Sequence, residues 1–195
     1  AAGARAVKVA TVVNFPDGGD DPERAACETR RAVAAGADEV DMVLPWRALA
    51  AGQPEVAAQV VAACREASPG RVLKVILESG SLAEPARIRA ASDLALEGGA
   101  DFIKTSTGKV PVGATPAAAR VMLESIRDHG GRAGLKVSGG VRTLGDAAAY
   151  LQLVDTTMGP GWATPAHFRI GASGLLGEIR AALGGGRGTT TGPGY

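Results

Sequence analysis

The chain is poor in the residues on which several common functions depend. Aromatic residues make up 4% of its 195 positions, histidine and cysteine occur twice each, and Lys plus Arg exceed Asp plus Glu by only 21 to 20. Few aromatics, with basic residues scattered among acidic ones, exclude a nucleic-acid surface, which needs a basic patch with interleaved stacking side chains. No apolar run approaches the roughly 18 residues that span a bilayer, and no signal-peptide pattern opens the chain. A membrane partner is therefore not expected, and a cytoplasmic location is. His129 and His167 join no acid or cysteine cluster, so no metal site is expected. Cys27 and Cys64 lie in separate Ala-rich segments and read as free thiols rather than a disulfide. A nucleotide P-loop is suggested superficially by Thr107-Gly108-Lys109. It fails, because the upstream glycine it requires is Ile103 and the downstream hydroxyl residue is Val110.

What remains, 46% hydrophobic and 21% charged, describes one globular domain with ample material for a core. Residues 1–183 form that domain, and the Gly/Thr-rich segment 184–195 reads as a mobile tail. Short β-branched runs alternate with Ala-rich amphipathic stretches, the pattern of βα units around a parallel sheet. Strands are expected near 7–14, 38–44, 72–78, 101–106, 133–138 and 167–171. Helices are expected near 22–35, 54–68, 83–98, 115–129, 144–153 and 174–183. Asp21-Pro22 and Thr115-Pro116 each place a capping side chain before a first-turn proline, and Gly36, Gly98 and Gly130 mark helix ends.

Each expected strand carries one ionisable residue among apolar neighbours: Lys8, Asp41, Lys74, Lys104, Lys136 and Arg169. Parallel strands covered on both faces usually read as unbroken hydrophobic runs, so these interruptions need a reason. Side chains alternate along a strand, and charges facing the inside of a closed sheet would converge. Lys104 sits in Asp101-Phe102-Ile103-Lys104-Thr105-Ser106-Thr107-Gly108-Lys109. An amine buried there loses hydration of its charged form and becomes a neutral nucleophile toward a carbonyl. Lys136, in Gly134-Leu135-Lys136-Val137-Ser138-Gly139-Gly140, repeats the pattern, and two neighbouring lysines repel each other's charge. Asp41, the one acid of the six, would shuttle protons through a water molecule. Lys8 and Arg169 are read as lying toward the opposite rim, with no chemistry. Thr107-Gly108-Lys109, Ser138-Gly139-Gly140-Val141-Arg142 and Gly171-Ala172-Ser173 end three successive strands. That is the face on which barrel enzymes build their sites, and it favours a phosphate pocket.

These motifs, with Asp38-Glu39-Val40-Asp41-Met42-Val43 and Leu73-Lys74-Val75-Ile76-Leu77-Glu78, resemble the deoxyribose-phosphate aldolase family in order and spacing from about Val7 to Leu183. The resemblance implies a class I aldolase on a TIM (β/α)8 barrel. Such an enzyme needs no metal or other cofactor and cleaves 2-deoxy-D-ribose 5-phosphate to D-glyceraldehyde 3-phosphate and acetaldehyde, in deoxyribonucleoside catabolism. It implies Lys104 as the Schiff-base lysine and Lys136 with Asp41 as the proton-transfer pair. It further implies that Gly108, Gly139, Gly140, Gly171 and Ser173 hold the phosphate, with Lys109 or Arg142 adding charge. The terminal Tyr195 would fold over the pocket. The chain departs from the family in showing six βα units rather than eight. It begins where the family's third strand begins, and so reads as N-terminally incomplete. Gly174 stands where a second serine often occurs. An opened six-stranded sheet exposes edges and favours self-association. Two other readings compete: a different phosphosugar Schiff-base aldolase on the same barrel, and a non-catalytic sugar-phosphate-binding remnant.

Overall fold

Proline opens four of the helices. In the computed structural model, which describes residues 7–184, Pro22, Pro54, Pro85 and Pro116 occupy the first turns of α1 (Pro22–Ala34), α3 (Pro54–Ala67), α5 (Pro85–Glu97) and α6 (Pro116–Asp128). A first-turn proline gives up an N–H that no helix can pair, and its fixed φ suits the helix. Asp21 and Thr115 accept the N–H groups of Arg24 and Ala118 at 3.0 and 3.1 Å, as their sequence positions require. α7 (Leu144–Met158) starts with a reciprocal cap between Thr143 and Asp146. It runs past the expected end at 153, and in this extension the Thr156 and Thr157 hydroxyls donate back to the Gln152 and Leu153 carbonyls. Two short helices, α2 (Trp46–Ala50) and α4 (Ser79–Leu82), were not expected, being too short to show an apolar period. α8 (Gly174–Ala182) is the last. Gly36 and Gly130 take the left-handed conformation after α1 and α6. After α5 that role falls to Gly99, while Gly98 lies against Val61, where a Cβ would come within 2.5 Å of Cγ1.

The strands are β1 (Ala10–Val13), β2 (Glu39–Val43), β3 (Val72–Ile76), β4 (Phe102–Lys104), β5 (Gly134–Ser138) and β6 (Phe168–Gly171). All pair in parallel, in sequence order. This is a partial TIM-barrel-like α/β fold, with six strands where a closed barrel has eight. Among the described residues β1 and β6 each have one strand neighbour, so the sheet is open. β1 is shorter than expected. Val7 and Val9 lie before it, 93% and 59% exposed, as the ladder bonds of an edge strand come from one side only.

Alternation along the strands sorts side chains to two sides. Val40, Met42, Leu73, Val75, Ile103, Leu135 and Val137 are fully buried and share one core with Val60 and Val61 of α3, Ala91 of α5, and Met122 and Ile126 of α6. The opposite parity carries Glu39, Asp41, Lys74, Lys104, Lys136 and Arg169. In a flat sheet with strands about 4.8 Å apart, β2 and β6 would stand about 19 Å from each other. The Arg169 guanidinium of β6 nevertheless donates to both carboxylate oxygens of Glu39 on β2, at 2.8 and 2.7 Å. Only a strongly curved sheet brings these side chains together. The curvature turns the charged parity inward.

Candidate active site

Strand register builds the centre of the inner face. Asp41 is the Cα partner of Lys74, and Lys104 is the Cα partner of Lys136. The Asp41 carboxylate divides its bonds unequally. Its Oδ1 accepts from Lys74 Nζ at 2.7 Å, while Oδ2 accepts from both Lys104 at 3.0 Å and Lys136 at 2.7 Å. Lys74 also meets Glu39 at 2.6 Å, and Glu39 meets Arg169. Charge therefore alternates along the curve of the sheet: Arg169, Glu39, Lys74, Asp41, then the two amines of Lys104 and Lys136.

Burial alone would push the Asp41 carboxyl up, but the charges of Lys104, Lys136 and Lys74 overcome this and hold it well below the usual carboxylate range. Burial likewise disfavours ionised Glu39, and its bonds from Arg169 and Lys74 bring it below its ordinary value. Lys104 moves the other way. Its burial disfavours the ammonium, the Asp41 charge opposes that, and Lys136 and Lys74 add repulsion, so its amine loses a proton more readily than an exposed lysine. A buried amine biased toward its neutral form, beside an ionised acid and a second amine, can add to a carbonyl and exchange protons locally.

Lys104 and Lys136 open onto a cavity of about 270 Å³ that Val12, Phe15, Thr107, Ser138 and Gly171 also wall. A second cavity, of about 420 Å³, adjoins it. Gly108, Gly139, Gly140, Arg142 and Ser173 line it, together with the first residue of α8, Gly174. Gly139, Ala172 and Ser173 belong to both walls. Backbone N–H groups of such turns, beside a helix N-terminus, are suited to an anion. Gly139 and Gly140 take φ of 80° and 91°, and the turn at Gly113 presses so close that a Cβ there would sit 2.4 Å from the Gly139 carbonyl oxygen.

The structure brings together many of the residues that sequence reasoning named. Lys104, Lys136 and Asp41 do meet, and Gly108, Gly139, Gly140, Arg142 and Ser173 gather at one cavity. Gly171 walls the lysine cavity instead, its α-carbon backed by Lys136, whose Cε would stand 3.2 Å from an added Cβ. Lys109 is exposed and is not part of the wall of the glycine-lined cavity. Tyr195 and most of the tail lie outside the described residues. Lys8 pairs with Asp38 at 3.7 Å, away from the amines, whereas Arg169, the Cα partner of Lys136, faces inward and bonds Glu39. Sequence reasoning gave no role to Lys74, Glu39, Thr107 or Glu78. Parity could have found Glu39, two residues from Asp41 on the same face. Glu78 is buried with φ 56°, and its carboxylate accepts both the N–H and the hydroxyl of Thr107, fixing that side chain at the cavity wall.

Among the described residues no group of histidine, cysteine and acidic side chains could hold a metal ion, and no helix is long and apolar enough to cross a membrane. Comparison with known proteins agrees with the geometry. Residues 1–177 match the family described as DeoC/LacD family aldolase. A Toxoplasma gondii ME49 protein provisionally assigned as a deoxyribose-phosphate aldolase is 30% identical with a TM-score of 0.85, over 91% of this chain and 72% of that one. An aldolase designated QR15 is 29% identical with a TM-score of 0.76, over 92% and 76%. A tetrameric deoxyribose phosphate aldolase from Aeropyrum pernix is 25% identical with a TM-score of 0.69, over 91% and 68%. Matching the family over residues 1–177 and these aldolases in fold, the chain belongs to the DeoC/LacD family of aldolases.

Proposed function

We propose that the chain cleaves 2-deoxy-D-ribose 5-phosphate to D-glyceraldehyde 3-phosphate and acetaldehyde through an imine on Lys104. The observation that carries this reading is the position of Lys104: a buried amine, disposed to lose its proton, facing a cavity that adjoins a glycine-walled one. The neutral Lys104 amine adds to the C1 aldehyde carbon, and loss of water leaves a protonated imine. The proton on the C3 hydroxyl then departs as the C2–C3 bonding electrons move into the imine. Glyceraldehyde phosphate leaves and an enamine remains. Protonation at C2 and hydrolysis release acetaldehyde and restore the amine. Asp41, whose Oδ2 accepts from both Lys104 and Lys136, and Lys136 itself move the protons, with water as the carrier. Gly108, Gly139, Gly140 and Ser173 hold the phosphate through N–H and hydroxyl donors, and Arg142 adds charge. Lys109, Gly171 and Tyr195 belong to the same reading in lesser roles: long-range charge, close backbone approach, and cover from the tail. The reading extends to self-association, to deoxyribonucleoside breakdown as the process served, and to the cytoplasm as its location.

Borohydride reduction in the presence of acetaldehyde tests it. Peptide mass spectrometry should find an N-ethyl group on Lys104. Absence of that group, with sugar phosphate still bound, would leave a non-catalytic binding protein.

A further inference from the structure

Lys74 is the most deeply buried cation of the molecule's described residues, with no exposed surface, and the chemistry above makes no use of it. Its ammonium lies between two carboxylates, 2.6 Å from Glu39 Oε2 and 2.7 Å from Asp41 Oδ1. Lys104 and Lys136 share the other oxygen of Asp41. A carboxylate offers about four lone-pair sites on its two oxygens, so both amines could in principle spread over both. The fully enclosed Lys74 takes one oxygen for itself. Glu39 is in turn held by Arg169, whose Nη1 donates to both carboxylate oxygens, so Lys74 cannot swing away without leaving Glu39 short of a partner.

We propose that Lys74 is a positioning residue for the reaction at Lys104, turning the Asp41 carboxylate so that only Oδ2 faces the two amines and competing with Lys104 for its charge. An acid paired with Lys104 alone would keep that amine an ammonium, which cannot add to a carbonyl. An acid already engaged by Lys74 and Lys136 leaves the third amine freer to give up its proton. The charged groups facing Lys104 are Asp41 from β2, Lys74 from β3 and Lys136 from β5, with Glu39 and Arg169 one step further along the same chain of contacts. Repulsion from Lys74 is among the causes that favour neutral Lys104.

The proposal rests on Lys104 as the imine-forming residue, and one experiment separates the two. The rate of borohydride trapping of acetaldehyde on Lys104 is followed against pH in the full chain and in its variants. If the unaltered chain is not trapped at Lys104, the aldolase reading falls. If it is trapped, Lys74→Met should move the acid limb of the profile to higher pH by about one unit, a tenfold slower trapping at a fixed pH on that limb. The double variant Glu39→Gln, Lys74→Met should give the same shift without stranding Glu39 as a buried anion. Lys74→Arg, which keeps the charge, should hold the original limb. A limb unmoved in a folded charge-removing variant overturns the proposal. So does failure of both charge-removing variants to fold, which would make Lys74 a member of the scaffold only.

Discussion

Burial strips water from the Lys104 ammonium, and one carboxylate shared with two other lysines only partly compensates. The amine is thus held at some expense to the fold, as functional groups often are. The sign follows from proton linkage. The folded-state value lies below the ordinary 10.5, so between those two values the unfolded chain binds more protons and stability rises with pH. Below that window the penalty is present in full, and above 10.5 it vanishes. Lys104→Met should therefore end trapping and yet raise the melting temperature near neutral pH by about 2–4 °C, the response of a domain of this size to about 1 kcal/mol. Calorimetry as a function of pH checks this: the gap should narrow toward alkaline pH, and a variant less stable at every pH would refute it. At this scale the sequence was legible where one residue type interrupts an apolar run. It was not legible where partners had to be counted. The motifs display Lys74 as clearly as Lys104, but a role for Lys74 appears only when the register sets it between two acids.

Elements obeyed local chemistry closely. The helices capped by Asp21, Thr115 and Thr143 began where expected because these side chains satisfy the first N–H groups within a few residues. α2 and α4 escaped notice because helices of five and four residues carry no period to read. The strand-end turns are different. Their shapes depend on segments distant in sequence, as where the turn at Gly113 seats on Gly139, bonded through the Ala114 N–H to the Gly139 carbonyl at 2.9 Å. Gly113→Ala would put a methyl group into that carbonyl and push the 108–114 turn off the glycine-lined cavity. The expected result is a KM for the phosphorylated substrate raised about tenfold with kcat little changed, since Lys104 and its partners lie outside the disturbed turn. Steady-state kinetics decide it. A fall in kcat with unchanged KM would place the turn's influence on the chemistry instead.

At the scale of the whole molecule, the six βα units and their order were open to sequence reasoning, because each unit repeats the same local pattern. Curvature was implied by the expected barrel, but the contacts that accompany it were not open to such reasoning. The curvature is maintained inside by polar contacts between strands far apart in sequence, Asp41 reaching β3, β4 and β5, and Glu39 reaching β3 and β6. Both acids have folded-state values below their ordinary 3.8 and 4.5. Their contribution to stability is therefore present in full above those ordinary values and is lost as pH falls through the lower, folded ones. Acid should uncurl the sheet only after it has silenced the amine, because Lys104 takes up its proton at a higher pH than either carboxylate. Small-angle scattering over an acid pH series should show the radius of gyration rising only below the ordinary carboxylate values of 3.8 and 4.5. A radius that already rises where acetaldehyde trapping is first lost would show that the curvature does not depend on these acids.

Gly139, Ala172 and Ser173 wall both cavities, and in the proposed reaction this partition would act as a ruler. A ligand would place its carbonyl at Lys104 and its anionic end among the glycines only if the chain between them spanned the divide. A shorter molecule would have to choose one side. Length, measured in carbon atoms from aldehyde to anion, would then be selected by three small residues that need not touch the bond that breaks.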